Sequence, residues 1–562
     1  MSEPTDVLVL GGGLAGLTLA LQIHRARPQT RITIVDKAKW PPPIAAHKVG
    51  ESTVELGTHY LREVLGLADY LDAQQLPKLG LRFFFDPAQA SDISRRLEMG
   101  ASGKLPVPSH QLDRGMFEIE LARRAREAGI EHLTGWRVSN VELDKGGHTT
   151  TIKSGGEART IGSRWVVDAT GRAATLKRKL GLLESIDHHA SAVWFRLETV
   201  IDVDDWSDDA AWRTRIPDGL RRLSTNHLMG RGYWVWIIPL VSGSTSIGIV
   251  TDGREHDLKA MSTFDGAMQW LKKHEPQAHA VFADVADTLQ DFLVLRKYSH
   301  HCGRMYSSQR WALTGDAGAF LDPFYSPGTD FIALANTYAA DLVCRDLDGE
   351  RIRSRANEYS RTFLQMVDAW LPVYQDMYRT FGHTQVCALK VAWDFSTYWS
   401  FQVLMFVNEG FVNVPLMTKT RGLWQRITDL NAALQANLLH WCDVEPTPEL
   451  DGSGGFVDPM EIEFLRDFHV GMVDRLDDAA LAERLEGNLA RLELVSAEIS
   501  RRAAHRLYGL PLDTAIDPYR FSLAALAEGT APEGDAAVGR NDAVIADVER
   551  CWFACDSAGL LA

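Results

Sequence analysis

The sequence predicts an α/β fold with a Rossmann-type opening, a middle region of mixed strands and helices, and a mainly helical C-terminal region. Three features carry this reading. Asp6-Val-Leu-Val-Leu10 is a short apolar run ending in glycines, as a buried parallel strand does. Helical apolar spacing follows from Leu14 to about Ala26, then a second run, Arg31-Ile-Thr-Ile-Val-Asp36. Up to about residue 345, strand-like segments (165–169, 233–238, 244–250) mix with helical ones (114–128, 261–274). From about 346, long amphipathic stretches at 353–378, 423–439 and 477–507 take over, with few β-branched runs. The expected division is a module of discontinuous subdomains over 1–345 and a mainly helical region over 346–562.

Composition narrows the class. The 562 residues carry 59 Lys+Arg against 74 Asp+Glu, a net charge of −15, with 45% hydrophobic and 24% charged residues. That is ordinary globular composition, and the acidic balance argues against broad nucleic-acid or anionic-membrane binding. Six cysteines at no regular spacing make no disulfide framework. The closest pair, Cys551 and Cys555, lacks a second pair to complete a zinc site, so no metal is expected. No apolar run reaches the roughly 18 residues of a membrane span. The acidic start, Met1-Ser2-Glu3-Pro4-Thr5-Asp6, is unlike a signal peptide, so a cytoplasmic location is expected.

Gly11-Gly-Gly13-Leu-Ala-Gly16 is a G-x-G-x-x-G segment in the context its chemistry needs, after a strand and opening a helix. Gly11 permits the tight turn, Gly13 lets the backbone approach a pyrophosphate, and Gly16 lets helix and strand pack closely. Asp36 ends the second strand 20 residues after Gly16, where it can accept hydrogen bonds from ribose hydroxyls. Strand, helix, second strand and terminal acid together specify dinucleotide binding. Gly452-Ser-Gly-Gly455 follows no strand and reads as a linker, and Pro446-Thr-Pro448 reads as a local break. The Gly- and Ala-rich segment 528–542 reads as a mobile loop, and the five Asp within 202–209 as a solvated loop.

Further motifs bring in a family. Arg114 in Leu112-Asp-Arg-Gly-Met-Phe117, the strand Val166-Val-Asp-Ala-Thr-Gly171 and the turn Thr314-Gly-Asp-Ala-Gly318 resemble, in this order, segments of the large FAD-dependent monooxygenase family. The resemblance implies FAD rather than NAD, with Arg114 near the flavin and Asp316 on its ribityl chain. Trp234-Val-Trp-Ile-Ile-Pro239 matches the W-x-W-x-I-P signature of the flavin-dependent halogenases. Phe320-Leu-Asp-Pro323-Phe-Tyr-Ser326-Pro-Gly328 matches their F-x-x-P-x-x-S-x-G segment. The i, i+2 spacing of Trp234 and Trp236 puts both indoles on one face of a strand. There they can wall the flavin from the substrate. Lys78, in Leu76-Pro-Lys-Leu-Gly-Leu-Arg-Phe83 downstream of Val49-Gly-Glu-Ser-Thr53, matches the context of the family's catalytic lysine, with Arg82 and Lys48 as competitors.

The chain is thus similar, over residues 5–345, to the flavin-dependent halogenases within the FAD-dependent monooxygenases. The resemblance implies an FAD-binding Rossmann-type domain with an inserted mixed-sheet substrate domain, ahead of the helical C-terminal region. It implies that reduced flavin and O2 give a flavin hydroperoxide. A chloride or bromide held near the Ser326–Gly328 backbone attacks it, and the hypohalous acid formed passes Trp234 and Trp236 to Lys78. Lysine suits the last step because its ammonium can polarise the halogen, or its neutral amine can form a chloramine. An electron-rich aromatic ring, free or carrier-tethered, is the expected substrate. No second nucleotide motif follows a strand, so a partner flavin reductase is expected to supply FADH2. Tyr325 stands where the tryptophan-halogenating branch has Glu, which points to a non-tryptophan substrate. The alternatives are a monooxygenase that hydroxylates an aromatic or a protein-bound side chain, and a non-catalytic flavin-holding scaffold. Six of the 16 tryptophans lie in the C-terminal region, where aromatics are more often core than substrate platform.

Overall fold

A computed structural model describes residues 5–43, 49–217, 219–445, 454–530 and 537–556, with no side-chain description after residue 551. Lys48, Pro446-Thr-Pro448, Gly452-Ser453, the centre of the 528–542 loop and the Cys555 side chain lie outside the described residues.

The chain folds into two compact units that interleave along the sequence. One comprises Met1–Leu76, Leu112–Asp187 and Tyr298–Asp368; the other comprises Pro77–Gln111, His188–Lys297 and Ala369–Ala562. The sequence division at 345/346 follows chain order, and the first unit runs across it.

The first unit is built on an eight-stranded sheet. Strand Thr5–Leu10 lies between Ile32–Asp36 and Glu157–Asp168, parallel to both, and Trp311–Leu313 and Glu131–Thr134 extend the parallel set on either side. Val7 to Leu10 are wholly buried, which is why this strand reads as an unbroken apolar run. Helix Leu14–Ala26 buries Leu14, Leu17, Ala20 and Ile23 at helical spacing. Helix Gly328–Leu347 is held to it by Asn336, whose amide donates to the Ala15 carbonyl (3.1 Å), Thr18 Oγ1 (3.0 Å) and Tyr60 Oη (3.1 Å).

The second unit holds another eight-stranded sheet. Its order is Leu289–Leu295, Ala190–Leu197, Thr245–Asp252, Tyr233–Pro239, Thr225–Gly230, Leu81–Phe84, Leu97–Met99 and Gly455–Val457. Pairing is antiparallel except between Thr225–Gly230 and Leu81–Phe84 and between Leu97–Met99 and Gly455–Val457. Residue alternation sorts the Tyr233–Pro239 strand: Tyr233, Val235 and Ile237 enter an apolar core with Phe195, Ile247, Trp270 and Phe282. Trp234 and Trp236 take the opposite face.

The C-terminal region is mainly helical, as expected. It holds Arg353–Tyr374, Thr384–Thr397, Val414–Val444 and Asp478–Tyr508 as its long helices. Two sequence readings are corrected. Gly455, placed in a linker, starts a strand, because Phe456 and Val457 pair with Glu98 and Met99 of the sheet edge. The Asp-rich segment 202–209 is structured rather than merely solvated. Asp202 and Asp209 cap a 3-10 turn and a helix, and Asp204 pairs with the buried Arg221 at 2.8 Å.

Candidate active site

The glycine turn in the first unit shows why each glycine is needed. Gly11 has φ +115°, and a Cβ there would lie 2.2 Å from the Ala169 carbonyl oxygen. A Cβ on Gly16 would lie 2.0 Å from the Gly11 carbonyl oxygen. Gly13 differs: a Cβ there meets nothing within 4 Å, so it opens onto free space at the start of the helix. Gly13 occupies the N-cap position with extended backbone and no side-chain cap, which leaves the first helical N–H groups for an anion. Asp36 uses Oδ1 to accept from the Ala38 N–H at 3.1 Å. Its Oδ2 and His132 Nε2 each lie 2.7 Å from the point where a Gly12 Cβ would stand. Both ring nitrogens of His132 are buried without a hydrogen-bond partner among the described residues. Burial, opposed by the Asp36 charge, pushes the imidazole pKa down. An open glycine cradle, an uncapped helix start, a carboxylate and an orphaned imidazole suit the diphosphate and ribose of FAD. His132 was not visible as a candidate in the sequence, since only the strand pairing Ile34 with His132 brings it beside Asp36.

Two motifs meet below this turn. Asp168 accepts from the Thr170 N–H (3.0 Å), Thr170 Oγ1 (2.7 Å) and the Leu176 N–H (2.6 Å), which ties the Val166–Gly171 segment to the next helix. Thr314 Oγ1 donates to Asn336 Oδ1 at 2.6 Å and anchors the turn that carries Asp316. Burial pushes the Asp316 carboxyl above its ordinary value, against the charges of Arg114, Arg172 and Lys177. Lys177, which the sequence reading passed over, is fully buried. Its ammonium donates to the Gly318 carbonyl (2.6 Å) and His300 Nδ1 (2.9 Å). Burial and the Lys177 charge take the His300 pKa down to about 4, so the imidazole is neutral and accepts this bond. Arg114 opens helix Arg114–Glu127, donates to the Val49 carbonyl at 2.7 Å and pairs with Glu118 at 2.6 Å. It therefore holds the segment leading into Glu51-Ser-Thr53.

The 320–328 segment ends at the N-terminus of a 20-residue helix. Tyr325 and Ser326 both adopt left-handed backbone, φ +70° and +60°. Two consecutive non-glycine residues of this kind cost about 1–3 kcal/mol each, a strain that clusters at functional sites. The turn is fixed by the Ser326 N–H to the Pro323 carbonyl (2.9 Å) and the Phe324 N–H to Asp322 Oδ1 (2.9 Å). A Cβ on Gly328 would meet nothing within 4 Å, so the helix start is open there too.

Lys78, Trp234 and Trp236 belong to the second unit. Lys78 ends the short strand Leu76–Lys78, which pairs with Ser109–Gln111, and is only 3% exposed. Trp234 and Trp236 are 5.6 Å apart between ring centroids. Trp234 Nε1 donates to Tyr378 Oη at 3.0 Å. Ser246 Oγ accepts from both Trp236 Nε1 (3.2 Å) and Trp194 Nε1 (2.7 Å), using both lone pairs. Trp236 lies flat over Gly248, where a Cβ would approach its ring to 2.1 Å. His227, adjacent on the same face, stacks on Phe83 at 4.7 Å and lies 5.5 Å from Trp234. Its Nδ1 bonds the Arg82 carbonyl at 3.0 Å. Burial first, then the Lys78 charge, push its pKa down to about 3, so it stays neutral beside the lysine. The competitor Arg82 is occupied elsewhere: its guanidinium binds Glu98 (2.5 Å), the Ala101 carbonyl (2.5 Å) and Ser224 Oγ (3.3 Å). Arg82 and Arg221 together outweigh burial and hold the Glu98 carboxyl below its usual range. Among the described residues no His/Cys/Asp/Glu group is arranged to hold a metal, and no helix is long and apolar enough to cross a membrane.

Comparisons with known proteins agree on a family. The family model of the FAD binding domain matches residues 4–246. The chain is 24% identical over 444 residues to the flavin-dependent halogenase chlA of Dictyostelium discoideum, covering 72% of this chain and 71% of that protein. It is 28% identical over 363 residues to the tetracycline 7-halogenase of Kitasatospora aureofaciens, covering 58% and 61%. A third relative, the 1H-pyrrole-2-carbonyl-[peptidyl-carrier protein] chlorinase of Pseudomonas fluorescens, is 24% identical over 398 residues, covering 66% and 83%. Among solved structures, halogenase PltM superposes with a TM-score of 0.60 at 17% identity, over 87% of this chain and 96% of that one. The FAD binding domain match and these relatives support the flavin-dependent halogenase family, which this chain resembles in fold and in sequence.

Proposed function

We propose that the protein halogenates an electron-rich aromatic ring using FADH2, O2 and a halide, with Lys78 handling the oxidised halogen. The observation that carries this reading is Lys78 itself, a lysine 3% exposed whose charge acts on a neutral, buried His227. A surface charge has no reason to be there, whereas a lysine that must bind or react with hypohalous acid benefits from exclusion of water.

The residue roles follow from their chemistry. Gly11, Gly13 and Gly16 shape the diphosphate cradle, Asp36 binds ribose, and Arg114 and Asp316 bind nearer the flavin ring. When bound in its reduced form, the flavin would supply two electrons to O2 and the halide the other two, so that O2 ends as hypohalous acid and water. The open helix start at Gly328, which the Ser326 turn sets in place, holds the halide. Trp234 and Trp236 keep the aromatic substrate from direct oxygen transfer. Lys78 presents the electrophilic halogen to one ring carbon, so positioning sets the regiochemistry. The chain carries no second nucleotide motif, which supports electron supply by a separate flavin reductase in the same compartment, the cytoplasm.

The relatives include enzymes named for pyrroles on a peptidyl-carrier protein, which supports a free or carrier-tethered aromatic as substrate. Tyr325, in place of the Glu of the tryptophan branch, supports a phenol, pyrrole or substituted indole over free tryptophan. The test is Lys78→Ala with chemically reduced FAD: halogenated product should vanish while FADH2 reoxidation continues. Unchanged product rate and regiochemistry would refute the role of Lys78.

A further inference from the structure

The helical region contributes an aromatic surface that the residues above leave unexplained. In helix Thr384–Thr397 every residue is buried except Phe395. That exception stands out in a helix wrapped on all sides, because burial otherwise follows from neighbours on every face. Phe395 lies 5.0 Å from Trp399 at an interplanar angle of 35°, and 6.2 Å from Phe83 at 50°. Trp399 is fixed in turn by an edge contact with His469 at 4.8 Å. Phe83 is the register partner of His227 and stacks on it, and the Lys78 charge reaches His227. A chain of rings therefore runs Trp399, Phe395, Phe83, His227, and its last member feels the Lys78 charge.

The backbone is adapted to this placement. Three residues after Phe395 the helix widens into a π-helical stretch, Tyr398–Val403, before resuming at Leu404. Such widening is uncommon and is found mostly at functional sites, where it re-aims the residues it carries.

We infer that Phe395, flanked by Trp399 and Phe83, is the platform on which the aromatic substrate stacks, and so a specificity-determining residue. The occupant is a flat, electron-rich ring of phenol, pyrrole or indole type, held by offset or edge contacts with these rings. The inference rests on the halogenase reading for its substrate class, but binding tests it separately from chemistry.

The experiment uses the full-length protein without flavin, titrated calorimetrically with 1,3-dihydroxybenzene and with indole, followed by turnover with chemically reduced FAD, O2 and bromide. Phe395→Ala and Phe395→Leu should each weaken binding of the better probe about tenfold and raise its KM by a similar factor. FADH2 reoxidation should stay at the wild-type rate, and Phe395→Tyr should restore binding. Lys78→Ala should leave probe affinity unchanged while abolishing product, so failure of the lysine assignment and failure of the platform are read in different columns. Phe395→Leu is the decisive variant if the alanine enzyme does not fold, since it keeps apolar volume and removes only the ring. Folded Phe395→Leu with wild-type affinity, KM and product regiochemistry overturns the inference.

Discussion

Three glycines of one turn should fail in two different ways, and the difference can be worked out from the structure. A Cβ on Gly16 would stand 2.0 Å from the Gly11 carbonyl oxygen, and one on Gly11 2.2 Å from the Ala169 carbonyl oxygen. Both obstacles are backbone and cannot swing away. Gly11→Ala adds the cost of φ +115°, a conformation closed to side chains. Each of these variants should lose at least about 1–3 kcal/mol, the usual cost of overpacking. Gly13→Val meets no protein atom within 4 Å, so it should cost only about 1 kcal/mol, the loss of a tolerated N-cap residue. The branched side chain then fills the space a diphosphate needs and blocks the uncapped N–H groups. FAD affinity should fall at least about 100-fold, the equivalent of roughly 2.7 kcal/mol in lost charge-assisted bonds. Thermal melts of flavin-free protein and FAD fluorescence titrations separate the two effects. The reasoning is refuted if Gly13→Val binds FAD normally, or if it unfolds while Gly16→Ala melts like the wild type.

Other variants probe the remaining parts of the account. Lys78→Arg should fail as Lys78→Ala does, with product down at least about 100-fold, since guanidinium stays protonated and cannot form a chloramine; product mass spectrometry reads this directly. Gly248→Ala should push the Trp236 indole off the sheet, costing about 1–3 kcal/mol and changing the near-ultraviolet circular dichroism. Asp346 accepts from Arg164 (2.8 Å), Trp165 Nε1 (2.9 Å) and Arg310 (3.1 Å), and together these outweigh burial and hold its carboxyl below the ordinary value. Its stabilisation is therefore present above a pH of about 4 and lost as pH falls through the lowered folded value. Asp346→Asn should lose roughly 1–3 kcal/mol already at neutral pH and flatten the acid limb of the stability profile. The protein alone with NADPH or NADH and FAD should turn over negligibly until a reductase or reduced flavin is added, which an assay of nicotinamide oxidation checks.

Local signals were readable in the chain, and long-range assembly was not. The opening strand, helix and strand follow from apolar spacing and glycine position, both set by neighbours in sequence. The shared face of Trp234 and Trp236 followed from the two-residue period of a strand. His132, Lys177 and His227 were invisible because each becomes notable only through a distant partner: Asp36, the Gly318 carbonyl and Lys78 respectively. Phe395 carries no local mark in the sequence, since partial exposure on a buried helix is a property of the folded surroundings. The interleaving of the two units has the same origin. Pro77–Gln111 and His188–Lys297 join the helical region through a sheet whose last strand is Gly455–Val457, and strand partners far apart in sequence leave no local mark.

The central claim is that the oxidising power of O2, once reduced flavin has given it two electrons, is delivered as halogen rather than as oxygen. Its most direct test is the mass of product made from a phenol or indole with reduced FAD and labelled O2, with bromide present and with halide withheld. With bromide, one hydrogen should be replaced by one bromine and no labelled oxygen should appear in the ring. Without halide, flavin should be consumed, hydrogen peroxide released and the aromatic recovered unchanged. Halide-independent incorporation of a labelled oxygen atom would contradict the account.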